Sequence, residues 1–471
     1  MKKKTLSLQK LLILFIYLLP FITSCEKESF LYPTPDAESH QDPEEDAKDS
    51  SSDQPQKETL VLSADNAGRL VIDGSVTTYD CNTLIAIKGG KYKSIVVRNL
   101  NGKPGCPVQI VNDGLVEVQL GYQQNLSVSD VSYVEILGNG TGSLTHGFTF
   151  ADNNRDRAVI LSGNVNHFAL AHMAFKNLGV HGAIYYAGDK VYDGSENSYL
   201  TGLKFHHLRS ENCKGLIQFG GGISESSIKG LIKELKIFNL DITNCPEAKN
   251  VVSIGMASDY EIHDNELSHI NMKNNEHNAM FFVVGNGKFY NNHISNHQGN
   301  AIRAWVVSIG NQPKEMEIYN NIVVGSRKYS AFETQSPPRF MIPQKTTYVN
   351  VKVYHNTCGS LNLSQDWYGV VLDAYSLLGG SCEVFNNLVF DLPAPHPKSN
   401  FVSYMSMETS KLVVRDNLYF PDAKSVGFAD KVSYKLNPTS KAVGAGIKNP
   451  LKVDIYGKNR NSDRPTVGAV E

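Results

Sequence analysis

The chain has 471 residues, with 45 Lys and Arg against 47 Asp and Glu, a net charge of -2 and 41% hydrophobic residues. A nucleic-acid binder needs a basic excess to neutralise phosphates, so the charge balance argues against DNA or RNA as a partner. The length suits several domains or one elongated repeat array, and the hydrophobic content is enough for a buried core.

The first 24 residues have the composition of a targeting segment, because four lysines precede an apolar run from Leu11 to Leu19. We expect residues 1–24 to be a signal peptide that is removed. The run Ile22-Thr23-Ser24-Cys25 resembles a bacterial lipobox. This resemblance implies acylation of Cys25, and the alternative is a secretory signal followed by a chance cysteine. We expect a lipid-anchored protein without a spanning helix, since no later apolar run approaches the ~20 residues that a span requires.

The next segment is acidic and poor in large apolar side chains. Residues 26–58 contain eleven acidic residues and three lysines. Such a composition predicts an extended linker over residues 25–58. Glu26-Lys27-Glu28 resembles signals that direct lipoproteins to the outer face of a bacterial outer membrane. The predicted localisation is therefore the outer membrane, lipid-anchored and facing the cell surface.

The rest of the chain contains an internal repeat marked by asparagine. Asparagines recur at intervals of 27, 29, 35, 31 and 30 residues, at Asn265, Asn292, Asn321, Asn356, Asn387 and Asn417. Three residues before and two residues after each of them lies an apolar residue, or once a cysteine. Both flanking positions are expected to point inward in a short strand. We expect each asparagine to lie at a bend, where it adopts the left-handed conformation and bonds the next asparagine.

A second pattern supports stacking of the repeats in register. Four residues before each asparagine, the chain places alternating charges and then a valine: Glu261, Lys288, Glu317, Lys352, Glu383 and Val413. Stacked at the ~4.8 Å strand spacing, these side chains form a ladder of opposite charges. One coil cannot bury its own apolar face, so the repeat predicts an all-β solenoid of parallel coils.

At this point the chain resembles the right-handed parallel β-helix proteins of the pectate-lyase-like superfamily, which have such asparagine ladders. Residues Gly89-Gly90-Lys91-Tyr92 resemble the opening coils of that superfamily. The recurrent tail of the superfamily resembles the C-terminal run that contains Asp454, Gly457, Arg460, Gly468, Ala469 and Glu471. The resemblance implies a right-handed parallel β-helix over residues 59–420. It also implies a C-terminal tail, residues 421–471, that packs on the β-helix.

Six cysteines follow Cys25, and no CxxC pair occurs among them, which argues against a cysteine metal site. Cys81 and Cys106 flank the opening coils and are candidates for a disulfide. Cys213 and Cys245 align in neighbouring coils, where they either bond or simply stack. We expect the cysteines to be structural.

Two outward stripes are candidate glycan-binding surfaces. The first is aromatic and lies two residues before the ladder: His263, Tyr290, Tyr319, Tyr354 and Phe385. Its rings either bind sugars or are covered by loops or by the tail. The second lies on a later strand of each coil and is chemically mixed: Tyr185, Gln218, Arg303, Trp305, Glu333, Gln335, Asp373 and Tyr375. There Arg303, Glu333 and Asp373 are the predicted catalytic residues, and the predicted substrate-binding residues are Trp305, Gln335, Tyr375 and His277.

Three interpretations of this second stripe stay open. In a lyase, a base removes the proton beside a uronate carboxylate while Arg303 or Ca²⁺ neutralises the developing charge. The region around Arg303 is faintly similar to the chondroitinase B and alginate lyase group, although Phe281 and Phe282 stand where that group has acidic Ca²⁺ ligands. In a hydrolase, Glu333 and Asp373 act as a carboxylate pair. In the third interpretation, Arg303 and Glu333 are only a solvated ion pair.

The sequence thus predicts a surface lipoprotein that engages polysaccharide through a β-helix groove. If it is an enzyme, it is a polysaccharide lyase or a glycoside hydrolase. The alternative is a non-catalytic glycan-binding or structural β-helix. No metal site and no cofactor is assigned, with Ca²⁺ considered only for the lyase.

Overall fold

The computed structural model describes residues 58–224, 226–273 and 275–471. The predicted signal peptide, the acylated Cys25 and nearly all of the predicted linker lie outside the described residues. None of the helices within the described ranges is long and apolar enough to cross a membrane.

Several strands before the asparagine repeat are long and bend through two sheets. In chain order they are β1 (Glu58–Leu62), β2 (Arg69–Asp73), β3 (Thr83–Tyr92), β4 (Ser94–Arg98), β5 (Val108–Val118), β6 (Leu126–Leu137), β7 (Phe148–Asn153), β8 (Val159–Leu178), β9 (Ile184–Tyr186), β10 (Leu200–Thr201), β11 (Lys204–Glu211), β12 (Ile217–Phe219), β13 (Gly222–Ser224), β14 (Ser227–Lys229), β15 (Ile232–Lys233), β16 (Lys236–Phe238) and β17 (Asp241–Cys245).

The strands of the asparagine repeat run from β18 to β35. They are β18 (Val252–His263), β19 (Glu266–Ile270), β20 (Ala279–Tyr290), β21 (His293–His297), β22 (Asn300–Val306), β23 (Ser308–Ile309), β24 (Lys314–Tyr319), β25 (Ile322–Ser326), β26 (Phe332–Gln335), β27 (Thr346–Thr347), β28 (Val349–Tyr354), β29 (Thr357–Gly359), β30 (Leu372–Tyr375), β31 (Cys382–Phe385), β32 (Leu388–Phe390), β33 (Val402–Met405), β34 (Leu412–Arg415) and β35 (Leu418–Phe420). One short α-helix, α1 (Ala423–Val426), and 3-10 turns at Glu196–Ser198, Pro338–Phe340 and Thr409–Lys411 complete the described elements.

The strands stack into three parallel sheets, one strand per coil in each. The first sheet holds the strands that precede the ladder asparagines, including the ends of β18 and β20, then β24, β28, β31 and β34. The second sheet follows the asparagines through β19, β21, β25, β29, β32 and β35. The third sheet runs through the starts of β18 and β20, then β22, β26, β30 and β33. The predicted fold class, a parallel β-helix, is confirmed.

The asparagine ladder is continuous from Asn265 to Asn417. Each side-chain amide donates to the Oδ1 of the next asparagine, and the five distances lie between 2.8 and 2.9 Å. Each Oδ1 also accepts the backbone N–H of the asparagine one coil earlier, as in the 3.0 Å bond from Asn292 to Asn321. The ladder therefore satisfies backbone groups in a bend where strand pairing stops.

One detail of the predicted bend is wrong. The left-handed residue is the one before each ladder asparagine, with φ between 52° and 55° at Asp264, Asn291, Asn320, His355, Asn386 and Asp416. The ladder side chain must point inward to reach its neighbours, so the reversal of direction falls on the preceding residue. Asn, Asp and His tolerate positive φ better than most other side chains do.

The predicted charge ladder is in register on the outside of the first sheet. Glu261 pairs with Lys288, and the column continues through Glu317, Lys352, Glu383 and Val413. On the inner side, Ile262, Phe289, Ile318, Val353 and Val384 are fully buried. Val414 and Tyr419, predicted to point inward, are 38% and 37% exposed. They belong to the last coil, which has no following coil to cover it.

The tail, residues 421–471, packs on the outer face of the second sheet. Val426, Ala442, Ile455 and Val467 form one apolar cluster with strand residues that include Ile322, Val324, Leu388 and Phe390. Arg460 is buried there and donates to Asn320 Oδ1 at 2.8 Å and to the carbonyls of Gly468 and Ala469. The tail therefore closes one of the three outer faces to ligands.

The cysteines are structural in two different ways. Cys81 and Cys106 form a disulfide across the opening coils. Cys213 and Cys245 stay as buried thiols that stack in neighbouring coils, where the Cys245 sulfur accepts the Cys213 N–H at 3.3 Å. Cys358 and Cys382 are also buried thiols.

Candidate functional site

The third sheet brings the predicted site residues into two adjacent columns. Strand register places Arg303 beside Glu333, Glu333 beside Asp373, and Asp373 beside Ser403. The neighbouring column contains Trp305, Gln335, Tyr375 and Met405. Tyr185 and Gln218 lie earlier in the first of these columns, where Ser253 and Phe282 separate them from Arg303.

The centre of the site is a carboxylate held by two cationic or potentially cationic side chains. Glu333 Oε1 lies 2.6 Å from Arg303 Nε, and Glu333 Oε2 lies 2.9 Å from His277 Nε2. The second ring contact of His277 is with Asn300 Oδ1, also through Nε2, at 3.0 Å. Arg303 donates in addition to the His277 carbonyl at 3.3 Å. Glu333 thereby fixes both the guanidinium and the imidazole.

The two carboxyl groups are less accessible than the sequence predicted. Glu333 and Asp373 are both 0% exposed, although strand alternation turns them outward. The side chains of Arg303 and His277 retain 23% and 27% exposure. The picture of two carboxylates lining an open groove is therefore corrected: both are buried, and Arg303 and His277, which contact Glu333, are the groups that reach solvent.

Burial changes the protonation of Asp373. Burial and the nearby Glu333 charge raise the pKa of Asp373 to about 8, against the opposing effect of the Ser330 and Ser403 hydroxyls. At neutral pH its protonated form is therefore favoured. Glu333, by contrast, has the Arg303 charge in direct contact.

These carboxyl groups do not fit a Ca²⁺ site. One is engaged by Arg303 and His277, and the other is predominantly protonated at neutral pH, whereas Ca²⁺ requires several free oxygen ligands. Over the part of the chain that the structure describes, the sole group of three or more potential metal ligands is a histidine cluster in other coils.

One wall of the site is built by the insertion after β26. Phe340 and Ile342 pack with Val284 and Val307 on the outer face of the third sheet. The Arg339 guanidinium lies 5.3 Å from the centre of the Trp305 ring, and that of Arg303 lies 5.6 Å from the same ring. Trp305 thus stands between two cations, which favours anionic over neutral ligands on this face.

The other wall is aromatic. Tyr329 stacks on His277 with ring centres 4.0 Å apart, and Trp367 meets Tyr329 edge-on at 5.9 Å. Tyr375 is half-buried, and burial followed by the charges of Asp373 and Glu333 raises its pKa. Gln335 is partly exposed beside it. An extended ligand on the third sheet would contact rings on both sides of the Arg303 guanidinium.

The aromatic stripe on the first sheet has a different role. Seven rings stack in one column, with neighbouring ring centres 4.6 to 5.2 Å apart: His206, Phe238, His263, Tyr290, Tyr319, Tyr354 and Phe385. Their faces are occupied by one another, and the hydroxyls of Tyr290 and Tyr354 donate to Glu261 and Glu317. Because sugars bind to ring faces, the stripe stabilises the stack of coils and leaves the third sheet as the candidate site.

Sequence analysis missed three residues of the site and understated a fourth. Tyr329 and Arg339 lie in a bend and an insertion whose course the asparagine spacing does not determine, and Asn300 is the first residue of β22. His277 was assigned to substrate binding and considered as a base near the Arg303 face. Its contact with Glu333 crosses two coils, so no local pattern in the sequence marks it.

Comparison with known proteins gives several solved structures that are similar to this chain. The pectate lyase Pel9A is 13% identical, with a TM-score of 0.40 over 88% of this chain and 97% of that one. A PL6 family polysaccharide lyase from Pseudopedobacter saltans is 10% identical, with a TM-score of 0.37 over 84% of this chain and 99% of that one. An alginate lyase from Paenibacillus sp. str. FPU-7 is 11% identical, with a TM-score of 0.40 over 73% of this chain and 99% of that one.

No family model matches the chain, and no curated protein matches it. The likeness to the solved structures concerns the parallel β-helix. The chemistry of the site has to be inferred from the residues of this chain.

Proposed function

We propose that this protein is a polysaccharide lyase that binds an acidic glycan along the outer face of the third sheet. The observation that carries the proposal is the buried Glu333 carboxylate, which contacts Arg303 at 2.6 Å and His277 at 2.9 Å. It holds a permanent cation and a proton acceptor side by side, with both partly open to solvent. Those are the two groups that elimination from a uronic-acid sugar requires.

In that reaction, a base removes the proton on the carbon beside the sugar carboxylate. The bond to the leaving glycosidic oxygen then breaks, a carbon–carbon double bond forms, and the departing oxygen takes up a proton from water. Arg303 neutralises the negative charge that develops on the carboxylate. Nε2 of His277 lies 3.0 Å from Asn300 Oδ1, which can only accept, so Nε2 carries the proton and Nδ1 carries the lone pair that accepts the sugar proton. Among the described residues, no hydrogen bond to Nδ1 of His277 is present.

The remaining predicted residues divide between binding and positioning. Trp305, Gln335 and Tyr375 lie on the exposed column and contact the flanking sugars. Glu333 acts through Arg303 and His277, and Asp373 supports Glu333 from the next coil. A hydrolase that used Glu333 and Asp373 directly is disfavoured, because both carboxyl groups are fully buried and no sugar oxygen can reach them.

The first experiment is an assay of the purified chain on pectate, alginate and a neutral glucan. A lyase produces new ultraviolet absorbance from the unsaturated sugar on an acidic polymer and none on the glucan. New reducing ends without that absorbance would indicate a hydrolase. Tight binding without either product would indicate a non-catalytic binder. Both of these results would contradict the proposal.

Substitutions at the site then test the assignment. We expect Arg303→Ala and His277→Ala each to lower kcat/KM by about 100-fold or more, the range of a lost charge-stabilising or proton-transfer group. Glu333→Gln keeps the size but not the charge, so it should shift the pH profile as well as the rate. Arg415→Ala, on the last coil of the first sheet, is the matched control and should leave the rate unchanged. Equal losses in all four variants would contradict the assignment.

We also propose that the chain is anchored by an acyl group on Cys25 at the outer membrane, with the β-helix facing outward. The lipobox-like residues before Cys25 and the acidic linker after it support this proposal. In cells fed a labelled fatty acid, the wild-type chain should incorporate label and the Cys25→Ser variant should not. Protease added to intact cells should degrade the β-helix if it faces outward.

A further inference from the structure

Three histidines converge in two neighbouring coils, at the bend between the first and second sheets. Each of His172, His206 and His207 offers one ring nitrogen, and the three nitrogens all lie within 4.8 Å of one another. Nδ1 of His206 is 2.8 Å from Nδ1 of His207, and the His172 ring stacks on His207 at 4.6 Å. None of these residues belongs to the proposed lyase site on the third sheet.

The fold explains why these side chains meet outside the coils. His172 and His207 are left-handed, with φ of 58° and 50°. They occupy the column that continues as Asn239, Asp264 and Asn291, at the bend before the ladder position. At such a bend the reversal of direction turns the side chain away from the core. His206 comes from the adjacent aromatic column, where Phe238 stacks on it at 4.6 Å.

The surroundings orient the rings as metal ligands. His172 Nδ1 lies 3.3 Å from the Thr145 carbonyl, which can only accept, so the proton is on Nδ1 and the lone pair on Nε2. The Asn239 amide nitrogen lies 3.4 Å from His207 Nε2, so Nδ1 of His207 is the nitrogen that faces His206 and the centre of the cluster.

We propose that His172, His206 and His207 form an open site for Zn²⁺, with the fourth position left to water. Imidazole nitrogens suit Zn²⁺, whereas Ca²⁺ and Mg²⁺ prefer oxygen ligands. A tetrahedral Zn²⁺ with bonds of about 2.0–2.1 Å places its ligand nitrogens about 3.4 Å apart. That separation lies between the 2.8 Å contact of His206 with His207 and the 4.8 Å limit of the group, so small ring rotations complete the site.

The chain itself offers conservative variants. Asparagine occupies the left-handed column at other coils, so His172→Asn and His207→Asn remove a ligand without straining the backbone. His206→Phe keeps an aromatic ring stacked on Phe238, and Phe238 shows that the column accepts a phenylalanine. The matched control is His269→Asn, which makes the same substitution at an exposed residue with φ of 57° on β19.

The test is a calorimetric titration of the purified full chain with ZnCl₂, supported by melting curves with and without the metal. We expect one Zn²⁺ per chain, and we expect each of the three cluster variants to weaken binding by about 10- to 100-fold. His269→Asn should bind like the wild type, and Zn²⁺ should raise the melting temperature of the wild type and of the control. Absence of binding in the wild type would overturn the proposal. Equal affinity in the cluster variants, with unchanged circular dichroism, would overturn it as well.

Discussion

At the scale of single residues, the buried carboxyl groups of Glu333 and Asp373 have different consequences for stability, although they are neighbours in one column. Glu333 is compensated by Arg303 and His277 at 2.6 and 2.9 Å. Asp373 has another carboxyl group as its column neighbour and a pKa raised to about 8. Ionising it in place is unfavourable, because burial and the Glu333 charge both oppose a second negative charge.

The raised pKa of Asp373 predicts a decrease of stability with rising pH. The unfolded carboxyl loses its proton near pH 4, whereas the folded one keeps it up to about pH 8. Between these values the folded state binds more protons, so the free energy of unfolding should fall by up to about 1.4 kcal/mol per pH unit. Asp373→Asn removes the titration and should flatten the curve. Melting temperatures of both proteins from pH 4 to 9 test this, and parallel curves would contradict it.

At the scale of the repeated elements, the asparagine ladder joins sequence pattern to packing. Asn321 donates to Asn356 Oδ1 and to the carbonyls of Phe289 and Tyr319, and it accepts both the side-chain and the backbone N–H of Asn292. Such a side chain holds three successive coils in register. At the end of the ladder, Asn417 accepts from Asn387 in the same way but is partly exposed.

This difference predicts that the same substitution, Asn to Ala, lowers the free energy of unfolding by unequal amounts at the two positions. Asn321→Ala leaves buried donors of Asn292 without acceptors and should lower the free energy of unfolding by about 3 kcal/mol. Asn417→Ala should cost about 1 kcal/mol, because water can reach the groups left behind. Urea unfolding of the two variants beside the wild type measures both values. A larger cost at Asn417 than at Asn321 would contradict this account of the ladder.

At the scale of the whole molecule, a solenoid has mainly neighbour-to-neighbour contacts, so the loss of one constraint should stay local. The Cys81–Cys106 disulfide closes a loop with a sequence separation of 25 residues in the opening coils. A loop of that size corresponds to roughly 3–4 kcal/mol in the chain-entropy description. The tail, in contrast, is bound to coils in the second half of the chain through Arg460 and its apolar cluster.

Removing the disulfide should therefore loosen only the first coils. In the Cys81→Ser/Cys106→Ser variant we expect faster amide hydrogen exchange in β1 to β4 and unchanged exchange in β24, β28 and β31. A reductant should reproduce the effect in the wild type and have no effect on the double variant. Uniform acceleration along the chain would show that the coils unfold as one unit instead.

The sequence by itself determined the periodic features, because they depend on spacing alone. Stacked coils repeat one backbone path, so the ladder from Asn265 to Asn417, the charge column and the alignment of Arg303, Glu333 and Asp373 followed from intervals and alternation. Only the tertiary structure decided which groups are accessible. Burial of Glu333, the contact of His277 with it and the covering Tyr329 depend on loops of irregular length, which bring together residues that no local pattern relates.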